Sequence, residues 1–304
     1  MPELPEVETV RRQLEPEIEG QRIDELEVLD ARWTRPVAPV KVGGEVSGRV
    51  IEALDRRGKY LLLRLEGDLV LVMHLRMTGN LVLVDGAEKL DPSEGHRLYE
   101  AERTADERFL RARFTLEDGR EVWFTDPRRF GEGFLVAADG LEARFAALGV
   151  EPLSDDFTPE ELGRVAAGRQ APLKSFLLDQ TRIAGVGNIY ADEALYRARL
   201  HPLSPAGSMR AEHLEALHEG VIEALEAGLD RGGASIDDYR DATGAKGTMQ
   251  EEFLVHTREG KPCPSCGEPI RRIVVSGRST YFCPRCQVRL RRRRKRKRPP
   301  SASL

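Results

Sequence analysis

Four cysteines near the C-terminus constrain the fold of this 304-residue chain more than any other feature. They form two Cys-x-x-Cys pairs, Cys263 with Cys266 and Cys283 with Cys286, with 16 residues between the pairs. Thiolates at this spacing give the tetrahedral ligation that zinc prefers. Two disulfide bonds are the alternative, but disulfides are rare in the cytoplasm, where we expect this chain. About thirty residues cannot bury a core of their own, so we predict that one structural zinc ion holds this module together.

Positive charge is concentrated at the same end of the chain. The formal net charge is −4, which by itself argues against a nucleic-acid partner. From 258 to 298, however, there are fifteen Lys or Arg and two Asp or Glu, so this stretch carries +13 and the rest −17. A basic end on an acidic body is typical of a protein that binds phosphate locally. No apolar run approaches the length of a membrane span and no secretory leader is visible, which predicts a cytoplasmic protein.

Short alternating apolar runs fill the first part of the chain. Runs at 60–65 and 69–74, separated by a Gly-containing turn, predict a β-hairpin. Further strands are predicted at 23–29, 81–84, 109–116 and 121–125. A helix leads them, because Val7, Val10 and Leu14 recur at helical spacing. Many strands with short turns and one leading helix predict a two-layer β-sandwich.

The periodicity becomes helical from Leu141 onward. A capping box marks one helix start, with Thr158 as N-cap, Pro159 at the first position and Glu161 at the third. Three further helices are predicted at 172–180, 189–198 and 209–228. The glycines before the second of these lead into Asn188, and backbone N–H groups at such a helix start are suited to an anion. An ordinary asparagine N-cap is the alternative, and both can hold.

The cysteine module and the chain end add two further features. Residues 274–282, between the two cysteine pairs, predict a β-hairpin with Arg278 at its tip. Residues 289–298 are almost entirely basic, so we expect a disordered, solvated tail. Such an arm would still add salt-dependent, sequence-independent affinity for DNA.

The first residues carry the candidate chemistry. Proline in second position is small enough for the initiator methionine to be removed, which would leave Pro2 with a secondary amine. Such an amine can attack the anomeric carbon of a sugar and give a cationic iminium directly. Glu3 is adjacent and can act as acid or base for the same centre. The alternative is that nothing catalytic lies there, as in many chains that begin Met-Pro.

The opening run MPELPEVETV closely resembles the start of the formamidopyrimidine-DNA glycosylase (MutM) family. Further motifs follow in the family's order, ahead of the cysteine module: GKYLL at 58–62, HLRMTG at 74–79, TDPRRFG at 125–131 and AGVGNIYADEAL at 184–195. The resemblance implies a bifunctional enzyme of base excision repair. Such an enzyme removes 8-oxoguanine and formamidopyrimidines from double-stranded DNA and cuts the strand by β,δ-elimination.

The resemblance also implies the fold and the domain order. We expect an α+β multidomain protein with an N-terminal β-sandwich and its leading helix, a helix–two-turn–helix domain and a zinc-bound β-hairpin. The expected regions are the catalytic domain at 1–135, the helix–two-turn–helix domain at 136–235, a lesion-capping loop and connector at 236–257, the zinc finger at 258–288 and the basic tail at 289–304. We expect a monomer in the bacterial cytoplasm, associated with the nucleoid and without a membrane partner.

The catalytic roles follow by resemblance alone. Pro2 forms a Schiff base with the sugar while Glu3 handles protons on the sugar and the base. Lys59 helps to bind phosphate and donates the proton in β-elimination. Arg278 grips the phosphates that flank the lesion and donates the proton in δ-elimination. Without the resemblance, Lys59 is an exposed lysine at a strand edge.

The DNA-binding roles follow in the same way. By resemblance, Met77, Arg128 and Phe130 form a wedge that fills the gap left by the extruded base, with Arg128 pairing to the orphaned base. The alternative makes Met77 and Phe130 core residues between strands. The resemblance also assigns phosphate binding to Asn188 and a DNA contact to Lys174, although spacing alone makes Lys174 an ordinary charge on an amphipathic helix.

The chain departs from the family pattern in two places. A polar insert at 85–107 predicts an exposed loop, and Phe109 stands where the family has a DNA-contacting histidine. His96 lies nearby, but the insert offsets it and we do not give it that role. In the loop expected to close over the extruded purine, Asp237 and Asp238 are unfavourable to an approaching phosphate, and we assign no residue there.

Two other functions stay open from the sequence. The first is the endonuclease VIII-like sister branch, which has the same N-terminal proline but prefers oxidised pyrimidines. Leu4 and the Asp-Pro-Arg-Arg-Phe loop favour the purine branch. The second is a protein that binds damaged DNA without cleaving it, and the presence of Pro2, Glu3 and Lys59 argues against it.

Overall fold

The computed structural model describes residues 1–84, 107–236 and 238–291. The insert up to residue 106, Asp237 and the basic tail from 292 onward lie outside the described residues. The chain forms two compact units. The first combines Met1–Ser154, Asp179–Gly187 and Ile222–Phe253, and the second combines Asp155–Leu178, Asn188–Val221 and Leu254–Leu304. None of the described helices is long and apolar enough to cross a membrane.

The first unit is a two-layer β-sandwich. In chain order its elements are α1 (Leu4–Ile18), β1 (Ile23–Val28), α2 (Pro39–Val46), β2 (Ile51–Arg57), β3 (Tyr60–Leu65), β4 (Leu69–His74), β5 (Asn80–Val84), β6 (Leu110–Leu116), β7 (Glu121–Thr125), β8 (Glu132–Ala137) and α3 (Leu141–Phe145). Two four-stranded antiparallel sheets form, with strand orders β1-β6-β7-β5 and β2-β3-β4-β8. The predicted sandwich with a leading helix is confirmed.

Helix α1 begins at Leu4 because proline is tolerated in a first helical turn, where Pro5 lies. Val7, Val10 and Leu14 are fully buried in the same core cluster as residues of both sheets. The apolar stripe read from the sequence is therefore the face that packs on the sandwich. The helix ends at Ile18, and the chain turns away two residues later.

Strands β2 and β8 and helix α2 were not predicted. For the two strands, the sequence shows why. The two fully buried residues of β2, Ile51 and Leu54, lie three positions apart, which is helical rather than strand spacing. Strand β8 contains Gly133, against which the buried indole of Trp33 packs. A Cβ atom on Gly133 would lie 2.5 Å from that ring, so glycine is needed for packing rather than for a turn.

The second unit is helical and ends in the cysteine module. Its elements are α4 (Pro159–Ala166), α5 (Leu173–Leu178), α6 (Asn188–Arg197), the first part of α7 (Ala211–Asp230), β9 (Arg271–Val275) and β10 (Arg278–Phe282). At the start of α4, Thr158 Oγ1 accepts the Glu161 N–H at 3.2 Å, as predicted. The Glu161 carboxylate accepts from Arg164 at 2.6 Å, so the reciprocal half of the predicted capping box is not formed.

The hairpin of the cysteine module is confirmed. Val275 pairs with Arg278, and the two residues between them, Ser276 and Gly277, have φ of 48° and 74°. Positive φ at both central residues is typical of the tight turns that match strand twist. Arg278 is therefore the first residue of β10, exposed beside the turn.

We predict that Gly133→Ala destabilises the protein by about 1–3 kcal/mol, because the added methyl group must displace the Trp33 ring. Urea unfolding followed by fluorescence measures this loss. Gly44→Ala is the matched control, since Gly44 lies in α2 with nothing within 4 Å of an added Cβ. The control should be neutral or stabilising by up to about 1 kcal/mol. Equal stability of both variants would contradict the packing argument.

Candidate functional site

Pro2 and Glu3 are both buried at the start of α1, where Glu3 exposes only 2% of its surface. The Glu3 N–H donates to Glu6 Oε2 at 2.7 Å, and the Leu4 N–H donates to the Gly185 carbonyl at 3.1 Å. A helix start leaves its first N–H groups without intrahelical partners, and these bonds satisfy two of them. The residues around the candidate nucleophile are thus held in one position.

Glycines allow this close approach. Gly185 has φ of 89°, and a Cβ on it would lie 2.6 Å from the Leu4 side chain. A Cβ on Gly187 would overlap the Glu3 carboxylate. The prediction that these glycines offer free N–H groups to an anion is wrong at Gly185, whose N–H donates to Gln180 Oε1 at 2.9 Å. In the structure, Gly185 and Gly187 allow the N-terminal residues Leu4 and Glu3 to pack closely against them.

Lys59 exposes only 6% of its surface, so the alternative of an exposed strand-edge lysine is wrong. It follows Gly58, which turns the chain between β2 and β3 with φ of 58°. The Gly58 N–H donates to the Glu151 carboxylate at 2.9 Å, and Arg57 donates to the same carboxylate at 2.7 Å. Arg56 forms a further ion pair with Glu151. The turn before Lys59 is therefore fixed by several bonds to one carboxylate.

Two candidate catalytic segments meet at Gly185. Its carbonyl accepts the Leu4 N–H, and its backbone nitrogen lies 3.6 Å from the position that a Cβ on Gly58 would take. Residues 2–4 and the turn that carries Lys59 are about fifty-five positions apart in sequence. The fold brings them to one point of the first unit.

His74 is a candidate site residue to which the sequence analysis gave no role. It pairs with Tyr60 across β3 and β4, one residue from Lys59, and its ring meets the Tyr60 ring edge-on at 4.5 Å. Burial, together with the positive charges of Arg76 and Lys59, lowers the pKa of His74 to about 3. Nδ1 accepts the Arg76 N–H at 2.8 Å, so the proton of the neutral ring is on Nε2. A histidine in the HLRMTG motif was the available signal.

The predicted wedge residues lie on two loops of the first unit. Phe130 is 55% exposed and Arg128 is exposed, with the guanidinium 5.1 Å from the centre of the Phe130 ring. This distance allows a cation–π contact. Met77 is half-buried. The alternative that places Phe130 in the core is wrong, while Met77 fits neither a core position nor full exposure.

One buried carboxylate holds these loops. Asp126 accepts the backbone N–H groups of Arg128, Phe130 and Gly131 at 3.1, 2.8 and 2.7 Å. It also accepts the hydroxyl of Thr78, the neighbour of Met77 in sequence. Asp126 is fully buried, so these bonds are shielded from water. Asp126 belongs to the TDPRRFG motif, but nothing in the local pattern indicates that it organises the loop.

A further loop, described at residues 232–236 and 238–241, packs on the first turn of α1. Glu6 Oε1 accepts the Ala234 N–H at 2.8 Å, and the Tyr239 hydroxyl donates to the Glu6 carbonyl at 3.2 Å. Asn80 accepts the Arg240 N–H at 2.8 Å and donates to the Asp238 carbonyl at 3.2 Å. Glu6 therefore links this loop, whose part from residue 236 onward is predicted to cap the lesion, to Glu3, the residue that follows Pro2. Spacing gave no signal for this role.

Lys174, for which the resemblance implies a DNA contact, has a side chain that is 0% exposed, so the alternative of an ordinary charge on the surface of an amphipathic helix is wrong. Nζ donates to the Asn188 carbonyl at 2.6 Å and to Asp192 Oδ1 at 2.7 Å. The other oxygen of Asp192 bonds His256 Nδ1 at 2.8 Å. A buried ammonium needs such partners, and here they orient the start of α6.

Asn188 and Arg278 belong to the same unit. Asn188 is the first residue of α6, and its Nδ2 donates to the Ser279 carbonyl at 3.1 Å, next to Arg278 in β10. Its Oδ1 is buried and has no hydrogen-bond partner among the described residues. The start of α6 and the start of β10 are thus joined by one bond, which brings two predicted phosphate-binding residues close together.

The four cysteines meet as predicted. Their Sγ atoms all lie within 4.8 Å of one another, with Cys263 and Cys286 at 3.8 Å and Cys266 and Cys283 at 3.5 Å. A tetrahedral site with Zn–S bonds near 2.3 Å has sulfur–sulfur edges of about 3.8 Å, whereas a disulfide needs about 2.05 Å. The cysteines are free, so the geometry fits a metal and not the disulfide alternative.

Comparisons with known proteins cover nearly the whole chain. Family profiles match at residues 1–133 (formamidopyrimidine-DNA glycosylase N-terminal domain), 148–240 (its H2TH domain) and 260–288 (a zinc finger found in FPG and IleRS). A formamidopyrimidine-DNA glycosylase of Chloroflexus aurantiacus is 43% identical over 288 residues, which is 95% of this chain and 98% of that protein.

Solved structures of Lactococcus lactis FPG bound to DNA have the same fold. A variant in complex with Fapy-dG-containing DNA is 34% identical with a TM-score of 0.82, covering 94% of this chain and 99% of that one. The wild-type protein (MutM) in complex with DNA containing an oxidised pyrimidine is 34% identical with a TM-score of 0.81, at the same coverage.

We predict that Lys174→Met lowers the free energy of unfolding by about 3–5 kcal/mol, because it leaves the buried Asp192 carboxylate without its ammonium partner. Urea unfolding without DNA, at a fixed zinc concentration, measures the change. Lys261→Met is the control: it removes the same charge from an exposed position of the same unit and should change stability by less than about 0.5 kcal/mol. If both variants were equally stable, Lys174 would have no role in holding the fold.

Proposed function

Because the chain belongs to the formamidopyrimidine-DNA glycosylase family, we propose that it excises oxidised purines from double-stranded DNA and then cuts the strand at the abasic site. The observation that carries this proposal is the meeting of residues 2–4 with the turn of Lys59 at Gly185. It supports a nucleophile, a proton-transfer group and a cation in one place. The Fapy-dG complex of the Lactococcus lactis protein supports the purine substrate.

The nucleophile in this proposal is the secondary amine of Pro2 after removal of Met1. The amine attacks C1′ of the damaged nucleotide, and the bond from C1′ to the base breaks as the base leaves with a proton. The C1′–O4′ bond then breaks as O4′ takes up a proton, and the product is an iminium that joins Pro2 to the opened sugar. Glu3, one residue away, transfers protons to and from the sugar and the base.

Strand cutting follows from the positive charge of the iminium. It acidifies the neighbouring C2′–H, and loss of that proton expels the 3′ phosphate by β-elimination. A second elimination then expels the 5′ phosphate. We assign proton donation in these steps to Lys59 and Arg278. The positive end of α1, next to Pro2, lowers the proton affinity of the amine and favours nearby phosphate.

We assign a phosphate contact to His74 as well. Its ring is neutral because burial lowers its pKa to about 3, and Nδ1 is occupied by the Arg76 N–H. Nε2 therefore keeps a proton at physiological pH and can donate to a phosphate oxygen beside Lys59. Because the His74 ring is neutral, it adds no second positive charge beside Lys59.

Extrusion of the base is assigned to the wedge residues. The exposed Phe130 and the Arg128 guanidinium over its ring are suited to entering the gap in the duplex, with Met77 beside them. Asp126 supports this role because it fixes the backbone of the loop before DNA arrives. Arg128 would pair with the orphaned base.

We assign binding of the DNA backbone to the second unit. Asn188 and Arg278 contact phosphate. The buried Lys174 supports Asn188 by donating a hydrogen bond to its backbone carbonyl. One zinc ion bound by Cys263, Cys266, Cys283 and Cys286 has a structural role, since four thiolates leave no open position for chemistry. We also propose that the chain has the five regions expected from the sequence. We propose that it works in the bacterial cytoplasm, on the nucleoid.

One observation favours a second candidate substrate. The Lactococcus lactis relative has been crystallised with DNA that contains an oxidised pyrimidine. Excision of oxidised pyrimidines, the activity of the endonuclease VIII-like branch, is therefore the alternative function. A protein that only binds damaged DNA would need neither the free amine of Pro2 nor a buried Lys59.

We predict that borohydride traps a covalent protein–DNA complex on a duplex with 8-oxoguanine opposite cytosine, and that Pro2→Gly reduces the trapped fraction at least about tenfold. Mass spectrometry must first establish that Met1 is removed from both proteins. Tight binding by Pro2→Gly serves as the control for folding. No trapped complex with wild type would contradict the amine mechanism, and stronger trapping on an oxidised pyrimidine would favour the alternative substrate.

A further inference from the structure

Tyr196 places a hydroxyl against the cysteine cluster from outside the cysteine module. It lies near the end of α6, and its side chain is buried in a small core with Val255, Cys263 and Ile270. The hydroxyl oxygen is 3.3 Å from Cys263 Sγ and 2.7 Å from Ser265 Oγ. Both distances are within hydrogen-bonding range, because sulfur is a larger acceptor than oxygen.

The direction of these two bonds follows from the chemistry of a metal thiolate. A cysteine that binds zinc has lost its proton, so Cys263 Sγ can only accept. Tyr196 must then donate its single hydroxyl proton to the sulfur. Its oxygen is left as an acceptor, so the Ser265 hydroxyl donates to it. The result is a one-way chain of donors from Ser265 through Tyr196 to Cys263.

We propose that Tyr196 is a positioning residue of the zinc site, whose donor bond holds the Cys263 thiolate in place and slows the loss of zinc. The inference rests on the zinc assignment of the proposed function. Four thiolates around one Zn²⁺ carry a net charge of −2, so donors to sulfur stabilise the site. The Cys286 backbone N–H, 3.3 Å from Cys283 Sγ, does the same within the module.

The bond also has a consequence for DNA binding. Helix α6 starts at Asn188 and carries Tyr196 two turns later, so one rigid element joins a predicted phosphate contact to the metal site. Asn188 bonds β10 at the other end of the same helix. The cysteine module is therefore tied to α6 by two separate bonds within the second unit: one from Asn188 to β10, next to Arg278, and one from Tyr196 to the metal site.

The test is the rate at which zinc passes from the full-length protein to a chromogenic chelator. We expect Tyr196→Phe, which removes only the hydroxyl, to weaken zinc retention roughly tenfold. Tyr281→Phe is the matched control, because Tyr281 packs against the same core but, within the described part of the chain, its hydroxyl makes no hydrogen bond to a cysteine sulfur. Ser265→Ala should have a smaller effect, and no additional effect in the Tyr196→Phe background, since Ser265 acts only through Tyr196.

A spectroscopic readout separates the bond from a general packing effect. In cobalt-substituted protein, loss of a donor to a thiolate moves the sulfur-to-metal charge-transfer band to lower energy. We expect this shift in Tyr196→Phe and not in Tyr281→Phe. Zinc retention within about twofold of wild type, with an unchanged band, would overturn the inference while leaving the zinc assignment intact. A finding that purified wild-type protein contains no zinc would overturn both the role of Tyr196 and the zinc assignment. The trapping assay on Pro2 does not depend on these results.

Discussion

The hydrogen bond from the Leu4 N–H to the Gly185 carbonyl is the interaction on which the candidate active site depends. It fixes the start of α1 and therefore the two residues before it. Glycine is required at the acceptor because Leu4 packs on its Cα, and Gly58 approaches its nitrogen from the turn of Lys59. A side chain at Gly185 would separate the segments that supply the proposed nucleophile, proton-transfer group and cation. The position of the chemistry thus follows from the absence of one methyl group.

Carboxylates set the geometry of the other functional segments. Asp126 holds the loop of Arg128 and Phe130, Glu151 holds the turn before Lys59, and Asp192 holds Lys174. In each case backbone or cationic donors converge on one anion that is largely shielded from water, where such bonds are strongest. Arg128 and Phe130, which are proposed to contact DNA, stay exposed, while Asp126, which positions them, is buried. This division keeps the contact surface ordered without burying it.

Local sequence predicted much of the fold. The spacing of Val7, Val10 and Leu14 predicted α1, and the alternation at 60–65 and 69–74 predicted the β3–β4 hairpin, because each pattern reflects one buried face. Strand β2 was not predictable, since its two fully buried residues have helical spacing and only pairing with β3 makes it a strand. The motifs identified the candidate site residues, but they gave no role to His74, Glu6 or Asp126.

The sequence by itself determined the chemistry that is available: a proline behind the initiator methionine, four cysteines at zinc spacing and a basic C-terminal end. The tertiary structure decided which groups are buried and therefore what each can do. Spacing alone makes Lys174 a charge on a helix surface, but in the folded chain it is buried in an ion pair with Asp192, while Phe130 is exposed. Burial depends on what distant segments pack against a residue. That information is absent from any local pattern and appears only when the chain has folded.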